Sequence, residues 1–180
     1  GRAAKVIAAY SGRSAYTIHK KIYRQQKLGE ERFLLNDNLH QHTLFIIDEA
    51  SMINNQQQFD SPFGSGNLLS DLIQYVYNGR GCSLLLIGDT AQLPPVGQIE
   101  SAALREEVLS CYGLTVRTHV LTQVARQALD SGILKNATDI RQQLQAGEIT
   151  LLPHFSTAGF SDIHHLAASD FLDTIENSYH

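Results

Sequence analysis

The sequence predicts an α/β fold, a mostly parallel sheet flanked by helices, from two strand patterns and the helical pattern between them. Thr43-Leu44-Phe45-Ile46-Ile47 is a short apolar run, rich in β-branched and aromatic residues, that ends in the carboxylates Asp48 and Glu49. Such a run reads as a strand buried on both faces. Ser83-Leu84-Leu85-Leu86-Ile87 repeats the design and ends in Gly88-Asp89. Between the two, Leu68, Leu69, Leu72, Ile73 and Val76 recur at helical spacing and stop at Asn78-Gly79. Strand, helix and strand in this order form the crossover that a parallel sheet requires. Leu44, Ile46, Ile47, Leu85, Leu86 and Ile87 are therefore expected to be buried.

The acids matter because of where they fall. The carboxyl edge of an open parallel sheet is where ligands bind. Two adjacent carboxylates are costly to hold there unless they meet a cation or a proton. Mg²⁺ with nucleotide phosphates supplies such a cation. After the second strand the chain continues Thr90-Ala91-Gln92-Leu93-Pro94-Pro95-Val96-Gly97. Gly88 frees the backbone and the two prolines stiffen the loop, which presents Gln92 from a rigid edge.

The other elements follow in order. Residues 1–10 read as a helix, with Ser11-Gly12 as its end. Thr17 is placed to cap a second helix running to about Gln25, with His19, Lys20 and Tyr23 near its start. Phe33-Leu34-Leu35 suits a short strand. His40 and His42 suit one strand face, but no third metal ligand is evident. Asn54 to Gly66 is rich in Asn, Gln, Ser, Gly and Pro and reads as a surface loop. Ser101 to Leu109 reads as helical and Leu114 to Leu121 as a third strand. Ile133, Ala137, Ile140 and Leu144 mark an amphipathic helix that ends near Gly147. Thr150 to His165 reads as a connection, and Ser169 as the cap of a last helix carrying Phe171, Leu172 and Ile175.

At 180 residues the chain is one domain, or one domain plus part of another. No apolar run reaches the length of a membrane span and no signal peptide is visible, so a cytoplasmic protein is the expectation. Cys82 and Cys111 have no metal-type spacing. The net charge of −4 hides an asymmetry. Arg2, Lys5, Arg13, Lys20, Lys21, Arg24 and Lys27 precede the first acid, leaving seven of the fourteen basic residues against all eighteen acids, a balance of −11. A basic segment on an acidic body suits a polyanion lying along one face. It also suits a pair of solvated helix faces.

Taken together, the motifs resemble the first motor domain of a superfamily 1 DNA helicase of the RecD-like branch. Gly1-Arg2-Ala3-Ala4-Lys5 resembles the tail of that family's motif Ia, and Thr17-Ile18-His19 resembles a motif lying along single-stranded DNA. Asp48-Glu49-Ala50-Ser51 matches motif II, the Walker B element. Residues Gly88 to Gly97 match motif III nearly letter for letter, and Val124-Ala125-Arg126-Gln127 resembles motif IV. An isolated Asp-Glu pair is weak evidence; ordered motifs at compatible spacing are strong.

The resemblance implies a RecA-like P-loop NTPase-type sheet, ATP and Mg²⁺ as cofactors, and roles for individual residues. Asp48 would hold Mg²⁺ through water, and Glu49 would polarise the attacking water. Gln92 would contact the γ-phosphate or that water, with Asp89 beside it in the nucleotide site. Arg126 would reach the γ-phosphate and stabilise charge as it spreads. Arg2, Lys5, Thr17, His19 and Lys20 would lie along the phosphate backbone of single-stranded DNA, tracking a strand without reading its sequence. Tyr16 and Tyr23 suit base stacking and the core equally.

One departure stands out. No Gly-Lys-Ser or Gly-Lys-Thr occurs in the 180 residues, so the family's phosphate-binding loop is absent from them. The chain is thus expected to be a piece of a longer helicase, truncated at its N-terminal strand and P-loop. Residues 1–149 would form part of the first motor domain, and residues 150–180 a connection and helix leading towards the next. The resemblance further implies a role in DNA repair or recombination, as an exodeoxyribonuclease V α-like protein, with nuclease or repair subunits as partners. The rival reading is a non-catalytic nucleic-acid-binding or scaffolding module. A related nucleotide-binding domain acting on RNA is a third.

Overall fold

A computed structural model describes residues 2–27, 29, 31–122, 131–147 and 153–178, apart from the side chain of Gln145. The chain divides into two compact units, Gly1–Thr118 and His119–His180. No helix among the described residues is long and apolar enough to cross a membrane.

The first unit opens with helix α1 (Arg2–Ser11), none of whose residues is buried. It stops where Gly12 takes φ +64° and donates its N–H to Ala8 O at 3.1 Å. Thr17 caps α2 (Ile18–Ile22) as expected, accepting from the Lys20 N–H at 3.4 Å. This helix is shorter than its pattern suggests. At Tyr23 the chain turns into strand β1 (Tyr23–Gln25), which pairs antiparallel with β2 (Phe33–Leu35), Tyr23 opposite Leu35. Ile22 and Tyr23 are both buried, and that burial overrides the local helical preference.

Strand β3 (Leu44–Ile47), helix α3 (Leu68–Asn78) and strand β4 (Ser83–Leu86) form the expected crossover. β3 and β4 pair in parallel, Leu44 opposite Ser83 and Ile47 opposite Leu86. Asn67 caps α3 by accepting from the Ser70 N–H at 3.0 Å, and Gly79 closes it. Leu69, Leu72, Ile73 and Val76 are buried, with Phe45, Ile47, Leu84 and Leu86 packed against that core. Full burial of each such aliphatic side chain contributes about 1.5–3 kcal/mol.

The expected two-sided burial is corrected here. Leu44 and Ile46 stay 55% and 59% exposed, and Leu85 and Ile87 are exposed as well. Ile47 and Leu86 are half-buried, on the face that α3 covers. A single helix layer covers one face of a pleated sheet, so alternate side chains remain in water.

Three further expectations shift. Ser101 to Leu109 is helical in two pieces, a 3₁₀ turn (Ala102–Leu104) and α4 (Glu106–Ser110). Leu114 to Leu121 forms no strand: Leu114 and Val116 alternate because they pack on the core, and among the described residues no strand pairs with them. Ser169 does not cap the last helix. It lies in a 3₁₀ turn (Ala168–Asp170) and its hydroxyl donates to the Asp170 carboxylate at 2.7 Å, ahead of α6 (Phe171–Ser178).

In the second unit α5 (Gly132–Ala146) runs as predicted and ends at Gly147, φ +71°. Its start is built from Ser131, whose Oγ accepts from the Leu134 N–H at 3.1 Å. Asp162 lies across this end, accepting from Ser131 Oγ at 2.6 Å and the Gly132 N–H at 2.8 Å. The Ser131 hydroxyl first, and then the Gly132 N–H, hold the Asp162 carboxyl below its ordinary range. A depressed carboxyl stabilises the fold above its unfolded pKa of about 3.9 and loses that contribution as pH falls through the folded value. Asp162→Ala should therefore speed amide exchange at Leu134 and Lys135 near neutral pH and flatten its dependence on acid. Equal protection in the two proteins would show that the Ser131 cap suffices alone.

Candidate nucleotide site

The acids sit where the parallel pair ends. Asp48 follows Ile47, its Oδ1 accepts from the Glu49 N–H at 3.0 Å, and both side chains are exposed. Glu49 adopts φ 55°, ψ 40°. A left-handed conformation costs a non-glycine residue about 1–2 kcal/mol, and such residues cluster at functional sites. The turn is held from behind. Ala50 is fully buried and donates its N–H to Ile87 O at 2.8 Å, which ties the end of β3 to the end of β4. A 3₁₀ turn (Ala50–Met52) then carries the chain away.

The second loop is laced to the first. Ser51, fully buried, donates its hydroxyl to Gln92 Oε1 at 3.3 Å, and the Ser101 hydroxyl donates to Ser51 O at 2.9 Å. Gln98 Nε2 donates to Asn54 Oδ1 at 2.6 Å, and Gln56 Nε2 donates to Gly97 O at 3.1 Å. Gly88 permits this approach, because a Cβ there would meet Ser51 N at 3.0 Å and Leu104 Cδ1 at 2.9 Å. Asp89 is half-buried and caps its own turn, its Oδ1 accepting from the Ala91 N–H at 2.9 Å. Gln92 itself remains exposed. The result is a rigid rim with Asp48 and Glu49 on one loop and Asp89 and Gln92 on the other.

This donor set fits a hydrated Mg²⁺ carried by a nucleotide. Mg²⁺ keeps several waters and takes one or two carboxylates plus phosphate oxygens, whereas an all-protein cage would need more ligands. Among the described residues no group of three His, Cys, Asp or Glu side chains gathers as a metal site. Neither His40 nor His42 joins such a group among the described residues. His40 Nε2 instead pairs with Lys21 Nζ at 2.8 Å. Arg126, assigned a γ-phosphate role by resemblance, lies outside the described residues.

The residues assigned to DNA do not converge on one spot. Arg2 and Lys5 lie on α1 and are exposed. Thr17 spends its hydroxyl on the cap of α2, and Lys20 is exposed beside it. His19 stands edge-on to Phe63 at 4.9 Å and near Tyr23 at 5.7 Å, and partial burial pushes its pKa below the ordinary 6.5. At neutral pH it therefore offers an aromatic face rather than a charge. Tyr23 belongs to the core, while Tyr16 is half exposed with Lys21 Nζ 5.5 Å above its ring.

Sequence reasoning missed the network behind the rim. Ser51, Asn54, Gln98 and Ser101 carry it, and only Ser51 lies inside the Asp-Glu motif. Their residue types are common in loops, so the signal that finds them is contact between two loops more than forty residues apart in sequence.

Comparison with known proteins agrees with the motif reading. The AAA domain family matches residues 1–165. The ATP-dependent RecD2 DNA helicase of Deinococcus radiodurans is 33% identical over 138 residues, covering 76% of this chain and 16% of that protein. The chain thus spans 16% of the length of that relative. No solved structure matches the chain.

Proposed function

The chain belongs to the AAA domain family, and from that premise we propose that it is the water-activating part of an ATP-driven motor that moves along single-stranded DNA. The observation that carries the reading is the rim itself: two acid-bearing loops, hydrogen-bonded to one another, at the carboxyl ends of paired parallel strands. On this reading the parallel pair belongs to a RecA-like sheet, residues 1–149 lie in the first motor domain and residues 150–180 lead on from it. The relative's description as a DNA helicase and the basic first segment support DNA as the track. Repair or recombination is the setting that the RecD-like resemblance implies.

The residues divide the chemistry. Asp48 would hold Mg²⁺, and the ion would supply charge neutralisation at the phosphates when bound. Glu49, held out into solvent by its left-handed backbone, accepts a hydrogen bond from the water that attacks the γ-phosphate. Gln92 is placed by Ser51 to meet that water or the phosphate, and its loop registers whether the γ-phosphate is present. Arg126 adds positive charge to the transferred group. The triphosphate's own cradle is not in these residues, which hold no Gly-Lys-Ser or Gly-Lys-Thr.

The test is Mg²⁺-dependent ATP hydrolysis, with and without single-stranded DNA, on these 180 residues and on the natural chain that carries them. Hydrolysis stimulated by DNA in the natural chain is the expected result. A natural chain that binds DNA and hydrolyses no ATP would overturn the motor reading in favour of a non-catalytic binding module.

A further inference from the structure

We propose that the cleft between α2 and the loop 58–63 is a stacking site for one base of single-stranded DNA, with Phe59 as its platform. The proposal rests on the motor reading and adds to it a subsite on the track.

Phe59 is 92% exposed, yet it does not sit on a loose segment. The Gln58 N–H donates to Gly66 O at 3.1 Å, the Ser61 N–H to Gln58 O at 3.2 Å and the Gly66 N–H to Phe63 O at 2.9 Å. The Gln57 side-chain amide donates to Ser65 O, and Ser65 N–H to the buried Asp71 carboxylate at 3.0 Å. Phe33 bonds both sides of the turn, donating to Pro62 O and accepting from the Gly64 N–H, each at 2.8 Å. These bonds fix the loop while its large aromatic ring stays in water.

Beside Phe59 lies an open cleft of about 630 Å³, walled by His19 on one side and residues 58–63 on the other. Its back is aromatic: His19 is edge-on to Phe63, and Phe63 stacks on Phe33 at 4.7 Å. Open, aromatic-walled clefts of this kind suit a flat ring with polar edges, which is what a nucleobase is. Charge selects the same occupant. Lys20 adjoins His19 on α2, in a segment with no acid before residue 30, while Lys21 is engaged by His40 and Tyr16. Asp60, in the opposite wall, disfavours phosphate on its own side. The strand's backbone therefore runs along α2, and the base turns in towards Phe59.

The same loop reaches the nucleotide rim. Asn54 Oδ1 accepts from the Gln56 N–H and from Gln98 Nε2, both at 2.6 Å, and Gln56 also donates to Gly97 O. Phe59 and Gln92 are thus carried on segments that share hydrogen bonds.

The probes are a labelled oligothymidylate and the same strand with abasic sites, bound to the natural chain that carries these residues. Phe59→Ala should weaken oligothymidylate binding on the order of tenfold, as the loss of one base stack implies. It should leave abasic-strand binding and the salt slope unchanged, because the phosphate contacts remain. Phe59→Trp should keep the affinity and lose fluorescence on binding, read as a difference from the natural chain, since these 180 residues contain no tryptophan. Equal affinity in Phe59→Ala, or an unquenched tryptophan, would overturn the stacking site. If that happens while DNA still stimulates hydrolysis, the motor reading survives alone. If Phe59→Ala loses affinity in a protein without hydrolysis, the stacking site survives and the motor reading fails.

Discussion

Glu49→Gln is expected to slow ATP hydrolysis about a thousandfold in the natural chain, within the range attributed to a positioned general base. The substitution keeps the length and shape of the side chain and removes its charge. It should not disturb the fold, because Glu49 is exposed and the turn around it is held by bonds that do not use its side chain, from Ala50 N–H to Ile87 O and from Glu49 N–H to the Asp48 carboxylate. Glutamine also tolerates φ 55° about as well as glutamate does. The informative measurement is therefore single-turnover hydrolysis beside nucleotide affinity. A fall in rate with affinity retained places Glu49 on the attacking water. A fall in affinity with the saturated rate unchanged would make it part of the phosphate-binding surface instead, since uniform binding is lost from the ground state and the transition state alike. An unchanged rate would remove Glu49 from the chemistry and with it the main support for the proposed motor.

The parts of this molecule that were readable in sequence are those governed by local rules. The crossover β3–α3–β4 was visible because apolar runs, helical spacing and an Asn-Gly stop each have a short-range cause. The rim was visible for a similar reason: carboxylates directly after a strand must emerge at the sheet edge. The failures are non-local. Tyr23 leaves a helical pattern for a strand because its hydroxyl reaches Asp71, forty-eight residues away. Leu114 and Val116 alternate like a strand but pack on the core and, among the described residues, pair with no strand. Leu44 and Ile46 have the composition of a doubly buried strand, yet only one face of the pair is covered among the described residues. Composition states what a strand tolerates, and the neighbours decide what it receives.

Asp71→Ala is expected to cost the first unit about 3 kcal/mol, because it strands the buried Tyr23 hydroxyl, at roughly 1–3 kcal/mol, and removes the hydrogen bond of the part-buried Ser65 N–H, at roughly 0.5–1.5 kcal/mol. Asp71 is 2% exposed and lies in the first turn of α3, among residues whose neighbours are apolar. Its Oδ2 accepts from the Tyr23 hydroxyl at 2.6 Å and from the Ser65 N–H at 3.0 Å. Burial first, and then the Asp71 hydrogen bond and charge, push the Tyr23 phenol far above its ordinary range, so it remains a donor across the usable pH scale. One carboxylate thereby pins β1 and the aromatic-bearing loop to the same helix. The space is filled so completely that a Cβ on Gly64 would fall 2.1 Å from Asp71 Oδ2, at a φ of +48° that already favours glycine. Urea unfolding of Asp71→Ala should show a midpoint lower by about 1–3 M for a slope of about 1–3 kcal/mol per molar. Tyr23→Phe should cost less, since the carboxylate keeps the Ser65 N–H, and the double variant should cost less than the sum, because both changes break one shared bond. Strict additivity would mean that the hydroxyl and the carboxylate act independently and that the loop bearing Phe59 is held by its backbone bonds alone.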